Sequence, residues 1–568
     1  MSMMDVDAEE PLLNLPVPLT PIESRGSLLT ASLITEGERS DDNNNNDTEN
    51  QLLLLRMLGR PYAAKTAFWT QAWPLSLALG SLLGVFVGGF LIIVHSLLDR
   101  WFADPGIGAH GEVWWLVITL VGGFLCGLIF IAPGAPTHAT IRTLVHDVHD
   151  LKGHAAVAPF VVAQSLIVMA TGAPLGPEIA LGSLGSGLAA LLSSLFKVDR
   201  RTEAGLVQAG LAGSLGALLL SPMLGVTVMQ ELSITGRPTG LLLDSLACSE
   251  MGHRRDGIPF LDHDWMEQIT LGGTTATGVY VIVCFLAPYA SSEWFQVLDL
   301  GGDAFELWHL AAAVPIGILC GGIGTLAIGL VGLFQLVRSS TCDYLHAKFK
   351  FPPWIGTLLF CSIGGAIHGG MSIWNPMLVG SGMQFVSTLV QKEVTASDVP
   401  LLVATAFGKL VSMSACIGFG LIGGPIFPMM FVGLCLGMSA TPLLPISLAV
   451  PCCICATVGS VVPIPFTLVI YITFSMALSV NQIGPVFVAI VVAFSFVGGI
   501  GFVKKFGEKR LGYVAPEGTM GQAWQHPHGD EDEDVFQYEA EEDEQDEEEE
   551  ERAREIRNAV FGSASPMW

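Results

Sequence analysis

One short pattern occurs twice in this chain, once in each half of its hydrophobic body, and it restricts the possible folds strongly. The first copy, Ala170 to Ala189, reads ATGAPLGPEIALGSLGSGLA, and the second, Gly418 to Ala440, reads GFGLIGGPIFPMMFVGLCLGMSA. Each copy has a Gly/Pro-rich break, an ordered proline (Pro177 or Pro428) and an apolar helix of small residues. In lipid, such a break is tolerated only where it is buried in protein or lines a wet cavity. Two interrupted segments in corresponding halves are typical of transporters, with the substrate site where the broken helices begin.

The composition indicates that most of the chain lies in a membrane. Of its 568 residues, 51% are hydrophobic and only 14% are charged, and the mean hydropathy is +0.56. Soluble proteins carry about 25% charged residues. Several runs approach or exceed the ~20 apolar residues that span a bilayer; they are Trp73 to Leu98, Val113 to Ala132, Leu271 to Ala290, Leu310 to Val337, Leu401 to Ile417 and Phe466 to Val503. We therefore predict an all-α polytopic membrane protein with many tilted helices of unequal length, some crossing only part of the bilayer.

The two ends of the chain differ from this apolar body. Residues 530–555 hold 17 of the acidic side chains, which account for much of the net charge of −26. A run so rich in carboxylates and so poor in apolar groups does not pack into a core. The sequence therefore predicts a disordered N-terminal region (1–58), a transmembrane domain (59–507) and an acidic disordered tail (508–568), with both termini in the cytosol.

Other chemistry-bearing patterns have simpler interpretations. His146, Asp150 and His154 would share one helix face, as metal ligands can, but a polar interfacial helix is the favoured interpretation. The thiols of Cys452 to Cys455 are predicted to be small core residues, since structural zinc sites usually space their cysteines as C-x2-4-C pairs. No phosphate-binding glycine loop or nucleophile elbow stands out. We therefore predict no cofactor, no metal, no nucleic-acid partner and no enzymatic activity.

Four motifs, in their order along the chain, resemble those of the CLC family of chloride channels and anion/proton antiporters. The first break is similar to the family's G-[KR]-E-G-P element, and Ala209 to Glu231 to its Gly/Ala-rich helix, Pro-containing turn and helix ending in Glu. Asn375 to Gly382 resembles the loop before the second half, and Gly423 to Gly433 the G-x-F-x-P element; Lys409 also lies at the family's offset. The resemblance covers roughly residues 73–506. It implies a CLC-like inverted repeat, a homodimer with one pore per subunit, and gated permeation of chloride or a similar small anion.

The broken helices suit an anion. A helix N-terminus exposes unpaired N–H groups and about half a positive charge. Helices starting at Pro177 and Pro428 would aim those ends at one point, and weak binding by N–H groups would let the ion leave again. The predicted anion pathway consists of Gly134, Ala135, Leu175, Gly176, Glu178, Gly424, Pro425, Ile426 and Phe427.

Several positions depart from the family pattern. The family's gating glutamate falls on Leu175, and the inner proton glutamate that would follow Glu231 falls on Leu232. The serine of an early pore element falls on Gly134, and Ile426 stands where the family has Phe. We therefore predict anion movement without the standard proton coupling. One alternative is a transport-inactive membrane scaffold.

Glu178, three residues after the missing gate, permits two interpretations. As a first-turn carboxylate it would only complement the dipole of its own helix, with its side chain directed away from the gate position. As an intramembrane carboxylate it could instead be a displaced gate or proton acceptor, which would make the chain a proton-coupled anion antiporter. The dipole role is the favoured interpretation from sequence.

Overall fold

The structure is a computed structural model, and it describes residues 71–102, 113–132, 153–198, 200–235, 263–286, 300, 305–462 and 464–499. The chain divides into two units, 1–74 and 75–568. All side chains discussed below belong to the second unit. The predicted N-terminal region and tail lie outside the described residues, as do Gly134 and Ala135 of the predicted pathway.

Within these ranges the chain forms fifteen α-helices, short 3-10 turns and no β-strand, which confirms the all-α prediction. The first seven are α1 (Trp73–Phe102), α2 (Val113–Phe130), α3 (Ala158–Ala170), α4 (Glu178–Phe196), α5 (Arg200–Leu218), α6 (Pro222–Thr235) and α7 (His263–Leu286). The others are α8 (Trp308–Phe349), α9 (Pro353–Trp374), α10 (Val386–Val390), α11 (Val399–Phe419), α12 (Ile426–Ala440), α13 (Ile446–Gly459), α14 (Pro465–Ser475) and α15 (Val480–Gly499).

The helices have unequal lengths, as the sequence predicts. Seven in the described part of the chain are long and apolar enough to cross a membrane: α1, α2, α4, α8, α9, α11 and α15. Four apolar helices are shorter: α3, α12, α13 and α14. The 15 residues of α12 rise only about 22 Å, less than the ~30 Å hydrocarbon core. Helices of this length are too short to cross the hydrocarbon core by themselves, in agreement with the predicted helices that cross only part of the bilayer.

The packing repeats along the chain. Helix α4 contacts α3 and α5, and α12 makes the same contacts with α11 and α13; likewise α7 packs on α5 and α15 on α13. Close glycine contacts repeat too: Gly80, Gly84 and Gly88 of α1 face α7, and Gly317 and Gly321 of α8 face α15. Small residues at this spacing let helix backbones approach closely in lipid. The repeat read from the two breaks therefore extends through most of both halves.

One predicted span proves to be two helices. The apolar run Phe466 to Val503 is interrupted between α14 and α15, where Ala477 has φ 47° and Leu478 N–H bonds back to the carbonyl oxygen of Thr473 at 3.1 Å. The prediction of one continuous run was wrong because hydropathy measures how apolar a segment is and does not register a turn made of apolar residues.

Candidate functional site

The two breaks meet face to face. Gly172 (φ 87°) and Gly420 (φ 103°) end the preceding helices in the left-handed region, which favours glycine. Beyond them, Gly176 N–H donates to Gly424 O and Gly424 N–H donates to Gly176 O, both at 2.7 Å, as an isolated antiparallel bridge. Reciprocal bonds of this kind relate the two segments by a local two-fold axis. The starts of α4 and α12 are therefore brought together around one point, one from each half.

The helix starts differ in detail from the prediction. Helix α4 begins at Glu178 with Pro177 as its N-cap, as the first copy of the pattern suggests. Helix α12 begins at Ile426 after the N-cap Pro425, so Pro428 lies inside its first turn instead of at its start. Proline is tolerated in a first turn because the N–H it lacks would have no helical partner there. The N–H groups of Ile426 and Phe427 are thus first-turn donors of α12 that have no acceptor within their own helix.

Glu178 reaches across the site to the opposite helix. Its side chain is buried, and Oε1 accepts a hydrogen bond from Phe427 N–H at 3.1 Å. Among the residues that the structure describes, Oε2 has no hydrogen-bond partner. A Cβ on either Gly176 or Gly424 would overlap Oε2, so the carboxylate occupies space that only glycine leaves open. The expectation that this side chain points away from the site is wrong, because the break turns the start of α4 toward α12.

Leu175 is completely buried between the two breaks. A Cβ added to Gly423 would lie 2.6 Å from Leu175 Cβ, so the leucine packs directly on the opposite break. An apolar side chain here fills the space beside the glycine bridge and has no group that could accept a proton. The ionisable group closest in sequence is the Glu178 carboxylate, which rests on Gly176 and Gly424.

A cavity of about 60 Å³ adjoins the carboxylate. This volume exceeds the ~15 Å³ that one water molecule needs, but the surface that faces the cavity is apolar and offers a water molecule no hydrogen-bond partner. Its lining is apolar apart from Glu178, Thr467 and Tyr471; the other lining residues are Ile179, Leu215, Leu218, Leu219, Val228, Pro425, Ile426, Phe427, Met430, Val462, Ile464 and Leu468. Of the predicted pathway, the structure thus gathers Glu178, Pro425, Ile426 and Phe427 at one cavity.

A second buried carboxylate lies behind this cavity and was missed as a site residue by sequence reasoning. Glu231 accepts hydrogen bonds from Phe466 N–H (2.6 Å) and Thr467 N–H (2.9 Å), and from Thr467 Oγ1 (2.5 Å). It therefore caps the N-terminus of α14 from the end of α6. The sequence signal for this cap is Pro465, because proline is common in the first turn of a helix. It predicts a helix N-terminus that needs hydrogen-bond acceptors but does not identify the carboxylate that accepts.

Lys409, which matches the family's offset, supports the site from behind α12. It is fully buried, and Nζ donates to the carbonyl oxygens of Leu378 (2.8 Å) and Gly380 (2.6 Å). The ammonium also lies 5.1 Å from the centre of the Phe431 ring. The loop that resembles the family's pre-second-half element is thereby tied to both α11 and α12.

The alternative metal patterns receive no support from the described residues. Of the pattern formed by His146, Asp150 and His154, only His154 falls within them; His146 and Asp150 lie outside. No group of His, Cys, Asp or Glu in the described ranges has the geometry to hold a metal ion. Cys452, Cys453 and Cys455 are buried in α13, as predicted for core residues.

Known proteins resemble this chain along most of its membrane body. The family model described as voltage gated chloride channel matches residues 123–498. A protein of Pseudomonas syringae pv. tomato named "Chloride/fluoride channel protein" is 24% identical over 394 residues, 68% of this chain and 73% of that protein. Among solved structures, "a slow cyanobacterial Cl-/H+ antiporter" shares the fold at TM-score 0.58 and 18% identity, covering 78% of this chain and 99% of that one. "A CLC-type fluoride/proton antiporter" does so at TM-score 0.55 and 18% identity, covering 76% and 96%. Together with its apolar helices and paired broken segments, the family match shows that this chain is a multi-pass membrane protein of the voltage gated chloride channel (CLC) family of anion channels and antiporters.

Proposed function

We propose that this chain conducts chloride or a similar small anion between the N-termini of α4 and α12. The observation that carries the proposal is the Glu178 carboxylate, an anionic group held by Phe427 N–H at 3.1 Å beside the Gly176–Gly424 bridge. A place that holds a carboxylate by a backbone N–H group at a helix N-terminus has the chemistry to hold a halide.

The proposed binding mode is weak enough for transport. N–H donors and helix dipoles attract an anion without a full positive charge at the site, so the ion can leave again. Glycine at 176 and 424 lets the ion approach the backbone closely. The proposed pathway consists of Gly134, Ala135, Leu175, Gly176, Glu178, Gly424, Pro425, Ile426 and Phe427. The printed names of the relatives mention both chloride and fluoride, so both ions belong in any test.

Uncoupled permeation is the main proposal, because Leu175 and Leu232 replace the carboxylates of the usual proton route. One observation favours proton-coupled exchange as a second candidate. Glu178 and Thr467 line the same cavity, and Thr467 is bonded to Glu231, so a single cavity separates Glu178 from a residue that contacts a second buried carboxylate. Proton transfer between the two carboxylates would require water to enter this apolar space during transport, with Glu178 as a displaced gate.

Efflux from proteoliposomes separates these candidates. Vesicles loaded with chloride or fluoride are diluted into anion-poor buffer with a potassium ionophore, with and without a proton uncoupler, and internal pH is followed. Anion loss without a pH change supports the channel, and anion loss with opposite proton movement supports the exchanger. A purified, monodisperse protein that moves neither anion faster than protein-free vesicles would refute both and support a scaffold.

The assembly and orientation of the chain are also proposals, resting on the family resemblance. We propose a homodimer with a separate pathway in each subunit and with both termini in the cytosol. Cross-linking in native membranes should give a species of twice the 60.3 kDa subunit mass. Protease added to sealed, right-side-out vesicles should leave an epitope at either terminus intact.

A further inference from the structure

A buried histidine of α9 is bonded to the start of the first break. His368 is fully buried, and its Nε2 lies 2.5 Å from the carbonyl oxygen of Gly172. A carbonyl oxygen only accepts, so Nε2 carries the proton. In the neutral ring Nδ1 then accepts from the hydroxyl of Ser412 on α11, at 2.8 Å. The ring therefore links a first-half carbonyl group to two helices of the second half.

The carbonyl group of Gly172 belongs to a hydrogen-bond network that begins and ends on α11. Gly172 O also accepts from Gly380 N–H at 2.7 Å, and Gly380 O accepts from Lys409 Nζ at 2.6 Å. Lys409 and Ser412 are three residues apart on α11, so they share a helix face. Helix α11 is therefore linked to Gly172 O by two routes. Lys409 reaches it through Gly380, and Ser412 reaches it through His368.

These bonds hold the first break at both ends by groups of the second half. Gly172 is held by His368 and Gly380, and Gly176 is held by Gly424. Gly172 and Ala173 N–H bond back to α3, to Met169 O at 2.9 Å and Val168 O at 3.1 Å, and the bonds from the second half add to these in positioning the segment. The placement of the α4 N-terminus relative to α12 is therefore set at Gly172 as well as at the glycine bridge.

We propose that His368 is a positioning residue of the anion site, and that its Nε2–Gly172 bond sets the spacing of the two helix N-termini and hence the choice between anions. The inference rests on the proposed function, because it concerns the same site. His368 is not among the residues that line the cavity, and its bond to the first break is to a backbone oxygen, so it acts through the backbone. A change in this spacing of a few tenths of an ångström would alter the binding of ions of different radius unequally.

Two amide substitutions test the proposal. The side-chain nitrogen of Gln can take the place of Nε2, whereas that of Asn takes the place of Nδ1 and cannot reach Gly172. The measurement is the chloride-to-fluoride flux ratio in proteoliposomes, for monodisperse protein only. We expect His368→Gln to keep the ratio of the unsubstituted protein and His368→Asn to change it about fivefold, the factor for one hydrogen bond. His309, a buried histidine of α8, is the matched control, and His309→Asn should leave the ratio unchanged.

Ser412 keeps the proposal testable if His368→Asn does not fold. Ser412→Ala removes the hydroxyl that holds the His368 ring, so it should shift the chloride-to-fluoride ratio in the same direction as His368→Asn but by a smaller factor. Ser412→Thr keeps the hydroxyl and should leave the ratio unchanged. Equal flux ratios for His368→Gln and His368→Asn would overturn this inference and leave the proposed function standing. If His368→Asn does not fold, an unshifted ratio in Ser412→Ala would overturn it in the same way. An unsubstituted protein that conducts neither anion would remove the proposed function and this inference together.

Discussion

At the scale of single residues, Glu178 is the most informative side chain of the site. Its carboxylate uses a backbone donor of α12 that a permeating anion would need, and its second oxygen has no hydrogen-bond partner within the described part of the chain. A buried acceptor without a partner costs about 1 to 3 kcal/mol. A group held at that cost at a helix N-terminus inside a membrane protein is expected to have a function. Competition between this carboxylate and the anion is the simplest such function.

The first prediction concerns the charge of Glu178. A deprotonated carboxylate should compete with the anion for Phe427 N–H, and protonation should weaken that competition. Flux through the unsubstituted protein is therefore expected to rise as pH falls from 8 to 5. Glu178→Gln keeps the shape of the side chain but cannot ionise, so its flux should be high and independent of pH. Proteoliposome flux at each pH measures this.

The contrary outcome for Glu178 is equally clear. If the side chain only complements a helix dipole, Glu178→Gln should cost no more than about 1 kcal/mol of stability and leave flux unchanged at every pH. Glu393→Gln, an exposed loop substitution, serves as the charge-matched control and should match the unsubstituted protein in both measurements.

The second prediction concerns Leu175. A carboxylate placed here would lie at the family's gate position, packed against the opposite break at Gly423. In a desolvated site its ionised form should compete with the anion, and its protonated form should not. In a Glu178→Gln background, Leu175→Glu is expected to restore flux that rises as pH falls, while Leu175→Gln is not. A folded Leu175→Glu variant with pH-independent flux would show that this position does not face the anion.

At the scale of elements, the site consists of helix starts held by partners from other helices. The two breaks pair through Gly176 and Gly424, and the start of α14 is capped by Glu231 from α6. Helix N-termini buried in a membrane need such partners because no water is available to their N–H groups. The contribution of each of these contacts to the free energy of unfolding can be measured by substituting its residues separately.

The third prediction tests the contact between Gly424 and Glu178. An added Cβ at 424 would overlap Glu178 Oε2, so Gly424→Ala should lower thermal stability in detergent. In a Glu178→Ala background the overlapping atoms are absent, and the same change should cost less. We expect a coupling free energy of about 1 to 3 kcal/mol in this double-mutant cycle. Additive effects within ~0.5 kcal/mol would mean that the two side chains do not share this space.

The fourth prediction concerns the cap of α14. Glu231→Gln replaces one acceptor by an NH₂ group that faces backbone N–H donors, so it should destabilise the protein by about 1 to 3 kcal/mol. Thermal unfolding measures this, with exposed Glu393→Gln expected to stay within ~0.5 kcal/mol. If Glu231 only caps α14, uncoupled anion flux per folded molecule should not change. Loss of proton movement alone would instead support the exchanger.

At the scale of the whole molecule, we expect the membrane domain to fold and conduct without the acidic tail. The packed helices described here end at Gly499, whereas the acidic run begins at Asp530. The fifth prediction is that deletion of residues 530–568 leaves folding and basal anion flux unchanged, because this segment has no apolar face to contribute to a core. Size-exclusion behaviour and liposome flux of the truncated protein provide the measurement, and an aggregated membrane domain would contradict it.

Sequence alone determined the all-α membrane fold and the two glycine- and proline-rich breaks, because hydropathy and glycine or proline content are local properties of the chain. It also located α1, α2 and α11 to within a few residues. Tertiary structure alone decided that Glu178 turns toward α12, that Glu231 caps α14 and that His368 holds Gly172. The partners of Glu178 and Glu231 lie 249 and 235 positions away, and Gly172 lies 196 positions from His368. Such pairs follow from how the two halves pack, which no local pattern encodes.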